Sequence, residues 1–196
     1  MEKGFIRKQI WATIVFLGYS SVLLGLCYPG VITLILQTVF SDKANGSLVI
    51  VDNQVKGSWL IGQPFFAARY FWGRPSAANS GGSNLCPTNP LQFTLVKSRV
   101  ERLQKSSLLP NALVPIDLVT ASASGLDPHI SLAAARYQIP RIAKARDLSE
   151  TAIHEIINTQ CPNIFGGLLG TAHVNVLKLN VDLDKVSKKN HGVAKT

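Results

Sequence analysis

The chain has 196 residues, 46% of them hydrophobic, and carries a formal net charge of +9. Its mean hydropathy of +0.19 is high for a soluble domain of this size. Three cysteines and 16% charged residues exclude a disulfide-dense miniprotein and a disordered chain, and the length allows one domain plus an accessory segment.

The apolar excess is concentrated at the start. No residue from Gln9 to Ser41 is charged. A bilayer core of roughly 30 Å needs about 20 helical residues, and Trp11 to Val31 supplies them with Leu, Ile, Val and Phe dominant. The reading is an uncleaved transmembrane helix over 11–36, after a short N-terminus at 1–10. A cleaved signal peptide would have an apolar core of about 7–15 residues and a small-x-small site, whereas this run is longer and continues into "CYPGVITL". Lys3, Arg7 and Lys8 precede the span and Asp42 and Lys43 follow it. The positive-inside bias then places the N-terminus in the cytoplasm and everything after about residue 42 outside.

Within the span, Pro29 predicts a kink or a restart. Gly18, Ser21 and Gly25 fall at i, i+3 and i+7, a face of small residues that would let another membrane helix approach closely. Cys27 lies in the span, so Cys86 and Cys161 are the pair available for a bridge outside, which sequence leaves open.

From Asp42 onward there are 17 basic and 10 acidic residues, a net +7 that suits an acidic partner surface or anionic lipid, or simply a solvated face. "GSLVIVDNQVKGSWLIGQPFF" reads as a hairpin, with Leu48–Val51 as its first strand and Asp52-Asn53 at its turn. Residues 67–90, "AARYFWGRPSAANSGGSNLCPTNP", form a long loop around the aromatic trio Tyr70, Phe71 and Trp72. Leu91, Leu95, Val96, Val100 and Leu103 recur at helical spacing and predict an amphipathic helix. The stretch from Pro115 to Asn158 is mostly helical. Asp127-Pro128 is expected to open a helix that runs to Gln138, Pro140 to break it, and Asp147 with Glu150 to cap the next. "VNVLKLNVDLDKV" alternates and predicts a half-buried strand, followed by a charged tail over 187–196. The fold class is one N-terminal transmembrane helix plus a single α+β extracytoplasmic domain over 42–186.

Signals for chemistry are weak. The four histidines share no metal-ligand spacing, so no metal site is expected. Ser124, Asp127 and His129 contain the letters of a triad without an elbow motif around the serine. No catalytic residue is assigned. The paired glycines in "ANSGGSN" lack the lysine of a phosphate-binding loop and read first as a turn.

Six blocks, "GSWLIGQPF", "YFWGRPSA", "SGGSNLCPTNP", "VTASASGLDPHIS", "YQIPRIAKAR" and "VNVLKLN", stand in an order and spacing that resembles the C-chain family of the Kdp-type potassium-transporting P-type ATPase. The resemblance implies a non-catalytic subunit of a bacterial inner-membrane pump. In that family an A chain carries potassium, a B chain hydrolyses ATP through a phosphorylated aspartate, and a small F chain completes the complex. The DKTGT phosphorylation motif is absent here. The family is also described as a catalytic chaperone that raises the nucleotide affinity of the B chain, with a glutamine proposed to contact ATP; Gln138 occupies that position. A domain outside the membrane conflicts with such contact, so ATP would be met only through the B chain and no firmly bound cofactor is expected. Tyr70, Phe71, Trp72, Ser80, Gly81, Gly82, Ser83 and Asn84 are the expected partner contacts of the outer domain, beside Gly18, Ser21 and Gly25 in the span. Two other readings remain: a nucleotide-binding domain using "ANSGGSN" or Gln138, and a membrane-anchored periplasmic enzyme using Ser124 or His129.

Overall fold

The computed structural model describes residues 2–75, 81–109, 112–161 and 171–193. The chain divides into two compact units, Met1–Leu48 and Val49–Thr196.

The first unit is helical. Helix α1 (Glu2–Val22) passes through a π-turn (Leu23–Cys27) into α2 (Tyr28–Val39), and a short α3 (Ser41–Ala44) follows. Gly4–Val39 is long and apolar enough to cross a membrane. Pro29 does not break the helix. Its ring would collide with the carbonyl four residues earlier, and the wider π-turn lies where that clash would fall, so the helix absorbs the proline without ending.

The second unit is a mixed helix and sheet domain. It opens on the expected hairpin, β1 (Leu48–Val51) paired with β2 (Gln54–Ser58). Asp52 and Asn53 take φ values of 51° and 61°, the left-handed pair that a two-residue turn with the twist of its strands requires. The predicted amphipathic helix is α4 (Pro90–Ser106); Asn89 caps it by accepting from Leu91 N–H at 2.9 Å, with Pro90 in the first turn. Val96, Val100 and Leu103 face the core.

Beyond α4 a 3-10 turn (Ile116–Leu118) leads to β3 (His129–Ser131), then to α5 (Leu132–Tyr137), α6 (Ile139–Arg146), α7 (Glu150–Gln160), β4 (His173–Asn175) and α8 (Val176–Val193). β3 and β4 pair antiparallel, with Ile130 opposite Val174. Helices α5 to α8 enclose a core in which Phe71, Ile130, Ile139, Ile142, Ile153, Ile157, Leu179 and Leu183 are at most 2% exposed. Burying each such side chain contributes about 1.5–3 kcal/mol.

Three sequence expectations are corrected. "VNVLKLNVDLDKV" is a helix apart from its first two residues, which end β4. Alternation at 177, 179, 181 and 183 is compatible with a strand, but Val176, Leu179, Leu183 and Val186 recur at helical spacing and face the core. Asn175 supplies the start signal by accepting from Lys178 N–H at 3.1 Å. Asp127 does not open a helix. It accepts from His129 N–H at 3.0 Å in a local turn, β3 intervenes, and Ser131 caps α5 by accepting from Ala134 N–H at 3.1 Å. Asp147 ends α6 in a left-handed conformation (φ 53°), and Ser149 caps α7.

Candidate functional site

Residues Ala68 to Arg74, "ARYFWGR", belong to neither a helix nor a strand, yet they run between α6 and α8. Phe71 at its centre is buried, and a buried peptide group without a ladder must find other partners. Here long polar side chains from those two helices supply them.

Asn180 on α8 accepts from Phe71 N–H at 2.8 Å and donates to Phe71 C=O at 3.0 Å. Gln138, between α5 and α6, treats the next residue alike, accepting from Trp72 N–H at 2.8 Å and donating to Trp72 C=O at 3.1 Å. Gln138 donates its second proton to Ala134 C=O at 3.2 Å and accepts from Arg141 at 2.7 Å. A glutamine amide has two donors and two acceptor lone pairs, so every hydrogen-bonding position of this 2%-exposed side chain is occupied within the chain.

Two arginines on α6 take the preceding carbonyls. Arg141 donates to Ala68 C=O and Tyr70 C=O and lies over the Trp72 ring, 4.0 Å from its centroid. Burial lowers its pKa to about 10, which still leaves it charged at neutral pH. Arg146 donates to Arg69 C=O at 2.6 Å, to Ser187 at 2.9 Å and to the Asp184 carboxylate at 2.7 Å. Its guanidinium also sits 4.8 Å from the centre of the Tyr70 ring, whose hydroxyl donates to Asp184 at 3.1 Å. Gln138 is joined directly to Arg141, and Arg146 to Asp184, and with Asn180 they bracket one stretch of chain.

Arg74 carries the bracket to the segment 120–128. It donates to Thr120 and Ala121 carbonyls and pairs with Asp127 at 3.1 Å. Gly62 and Gly82 meet the same segment at close range. A Cβ on Gly62 would stand 2.7 Å from Asp127 C=O, and one on Gly82 3.1 Å from Ala123 C=O. Gly81 N–H donates to Ser124 C=O at 2.8 Å. "GSWLIGQPF", "YFWGRPSA", "SGGSN" and "VTASASGLDPHIS" therefore converge on one place.

The expected contact residues divide accordingly. Phe71 is fully buried, whereas Tyr70 and Trp72 keep part of their surface exposed. Gly81, Ser83 and Asn84 are exposed and Gly82 is half-buried against its neighbour segment; Ser80 lies outside the described residues. Gly18 and Ser21 are on α1. Gly25 falls within the π-turn, so its angular relation to them is not that of an uninterrupted α-helix. Arg74, Arg141, Arg146 and Asn180 were not singled out by sequence reasoning. The available signal was the spacing of Gln138, Arg141 and Arg146 along a short stretch shared with Ile139, Ile142 and Ala143.

Two clefts flank the bracket. One, of about 450 Å³, lies between the hairpin and α8 and is lined by Val51, Phe65, Tyr70, Leu177, Val181 and Asp184 among others. The second, of about 510 Å³, is lined by Arg74, Asp117, Asp127, His129 and His173. His129 Nδ1 is 3.4 Å from Asp127, while Ser124 Oγ is engaged locally, accepting from Leu126 N–H at 3.1 Å. No group of three His, Cys, Asp or Glu side chains suited to a metal ion occurs among the described residues. Cys86 and Cys161 are both free thiols. Cys86 is fully exposed, and its hydrogen bond with Thr88 lowers its pKa.

Comparison with known proteins matches these features to one family. The family model described as "KdpC: K+-transporting ATPase, c chain" covers residues 10–185. A potassium-transporting ATPase KdpC subunit of Burkholderia ambifaria is 48% identical over 190 residues, covering 93% of this chain and 96% of that one. Those of Sorangium cellulosum and Rhodopseudomonas palustris are 50% identical over 170 residues and 44% identical over 201, covering 83% and 93% of this chain and 90% and 99% of theirs. The chain belongs to the KdpC family, the c chain of K+-transporting ATPases.

Proposed function

We propose that the chain is the non-catalytic accessory subunit of an ATP-driven high-affinity potassium pump of a bacterial inner membrane. The Gly4–Val39 helix anchors it once, with the N-terminus in the cytoplasm and the α+β domain on the periplasmic side. The observation that carries this reading is the family match from residue 10 to residue 185, anchor and domain together. Potassium conduction belongs to an A chain and ATP hydrolysis to a B chain, with an F chain completing the assembly. This chain contributes assembly, stability and coupling.

Gln138 is central to how that coupling is understood. Its saturated, buried amide supports a structural role, holding Trp72 against α6, in place of direct contact with ATP. A ligand would have to displace Trp72, Ala134 or Arg141 from it. An effect on the nucleotide affinity of the B chain then arises by linkage: if this subunit binds one pump state more tightly, that state is favoured throughout the complex.

The test is affinity purification of the tagged chain, in mild detergent, from cells that make the whole pump. The larger membrane subunits are expected to co-purify in fixed proportion. Recovery of a lone, monodisperse chain from those cells would contradict the proposal.

A further inference from the structure

The ribbon of β3 and β4 has two faces of different chemistry. Ile130 and Val174 pair across it and are at most 2% exposed, which fixes one face against the core. Successive strand side chains point to opposite faces, so His129, Ser131, His173 and Asn175 share the other. In this register His129 lies opposite Asn175 and His173 opposite Ser131, which makes the two histidines diagonal neighbours. Their rings stand 4.8 Å apart, centre to centre, at an angle of 78°. Sequence spacing gives no sign of the pair, because the two strands meet only in the fold.

Each ring has one nitrogen already engaged. His173 Nδ1 is 3.0 Å from Thr171 C=O, which can accept only if that nitrogen carries the proton. His129 Nδ1 is 3.4 Å from the Asp127 carboxylate, whose charge favours the proton on that nitrogen too. A neutral imidazole holds one proton, so Nε2 is the lone-pair nitrogen of both rings. Histidines that bind metals share this arrangement: the other nitrogen donates to a carboxylate or backbone carbonyl, which fixes the tautomer. The spacing fits as well. Two imidazoles on one tetrahedral ion, at about 2.0–2.1 Å per nitrogen, have ring centres about 5 Å apart. Both histidines line the cleft of about 510 Å³ together with Asp117 and Asp127. Asp117 is held there by accepting from Ser131 N–H at 2.6 Å. The His129 side chain is 42% exposed, which leaves its ring free to turn toward a shared ion.

We propose that His129 and His173 form a two-imidazole site for a borderline divalent cation, Zn²⁺ or its neighbours Cu²⁺ and Ni²⁺, bound through both Nε2 atoms. Water completes the coordination shell, and Asp117 and Asp127 supply negative charge beside it. Imidazole suits these ions, whereas Mg²⁺ and Ca²⁺ prefer oxygen ligands. A structural zinc site takes four protein ligands; with two, the ion exchanges with solvent. While bound it ties β3 to β4 and stabilises the folded domain by mass action. The site depends neither on which side of the membrane the domain occupies nor on assembly of the pump.

The tag-free full chain in mild detergent is titrated with Zn²⁺ alone by calorimetry, and its melting temperature is followed across the same range. The wild type is expected to bind Zn²⁺ and to melt at a higher temperature as the ion is added, with no such rise in Mg²⁺. His129→Gln and His173→Gln should each weaken binding about tenfold or more and remove the rise, whereas His154→Gln and Cys86→Ser should change neither. Failure of the wild type to bind Zn²⁺ overturns the proposal. So does wild-type affinity in either His129→Gln or His173→Gln, and so does loss of binding in His154→Gln or Cys86→Ser. A second measurement needs no variant. Cu²⁺ added to the wild-type chain should give an electron paramagnetic resonance spectrum with coupling to two imidazole nitrogens, and coupling to one or none contradicts the site.

Discussion

The N-terminal helix and the 68–74 bracket solve the same problem in opposite ways. The helix satisfies its peptide groups internally and leaves large apolar side chains such as Phe16, Leu24 and Leu26 more than 60% exposed, so it needs apolar surroundings but no other part of the chain. The bracket has no internal ladder. The Phe71 and Trp72 peptide groups and the carbonyls of residues 68–70 are met by Gln138, Arg141, Arg146 and Asn180, which are all at most 8% exposed. One region is robust to single side-chain changes and dependent on environment; the other is independent of environment and sensitive to single side chains.

That contrast is sharpest at Arg146. Arg146→Ala removes donors to Arg69 C=O, Ser187 and Asp184 together. It is expected to destabilise the detergent-solubilised full chain by about 3 kcal/mol, since hydrogen bonds to a charged group contribute about 1.5–3 kcal/mol each and Asp184, left behind, is partly exposed, read as a lower urea midpoint. Gln138→Ala orphans the Trp72 N–H and C=O and is expected to cost about 2 kcal/mol, since each buried polar group left unpaired costs about 1–3 kcal/mol. ATP should leave the wild-type melting temperature unchanged, and an ATP-dependent shift lost in Gln138→Ala would reassign that residue as a ligand. Gly62→Ala forces a Cβ to within 2.7 Å of the Asp127 carbonyl and should cost about 1–3 kcal/mol by overpacking. At the other extreme, Leu24→Ala in the exposed helix should change the same measurement by less than about 0.5 kcal/mol. A large effect there would mean that the two regions are not energetically separate.

The pH profile gives a finer version of the same test. Burial lowers the Arg141 pKa to about 10, so from about pH 10 upward, until the unfolded arginine also titrates, the unfolded chain binds the proton that the folded chain has released. This group's contribution to stability therefore rises with pH in that window and is flat from pH 6 to 9. Wild type and Arg141→Met should run parallel across the neutral range, separated by a constant offset.

Much of the architecture was legible because local chemistry and tertiary context agreed. Asp52-Asn53 asked for a left-handed turn and the chain makes one; the α4 periodicity and the long apolar run were equally direct. The misreadings share a cause. The apolar residues from Val176 to Val186 contain two periods, and the core chose the helical one through Val176, Leu179, Leu183 and Val186 over the alternation at 177, 179, 181 and 183. Asp127 has a good capping chemistry, but Arg74, 53 residues away in sequence, claims its carboxylate. The bracket was invisible for the same reason. Nothing local to "ARYFWGR" says that its peptide groups are met by side chains more than 60 positions later, although "YQIPRIAKAR" holds three of the four residues that do it.

Sidedness tests the central claim most directly. Protease added to intact spheroplasts should digest the domain from about residue 49 onward and leave a fragment containing the apolar helix. Such a result puts Gln138 across the membrane from cytoplasmic ATP and leaves coupling between subunits as its route to the nucleotide. A domain that stays whole in spheroplasts and is cut only after lysis would contradict the account.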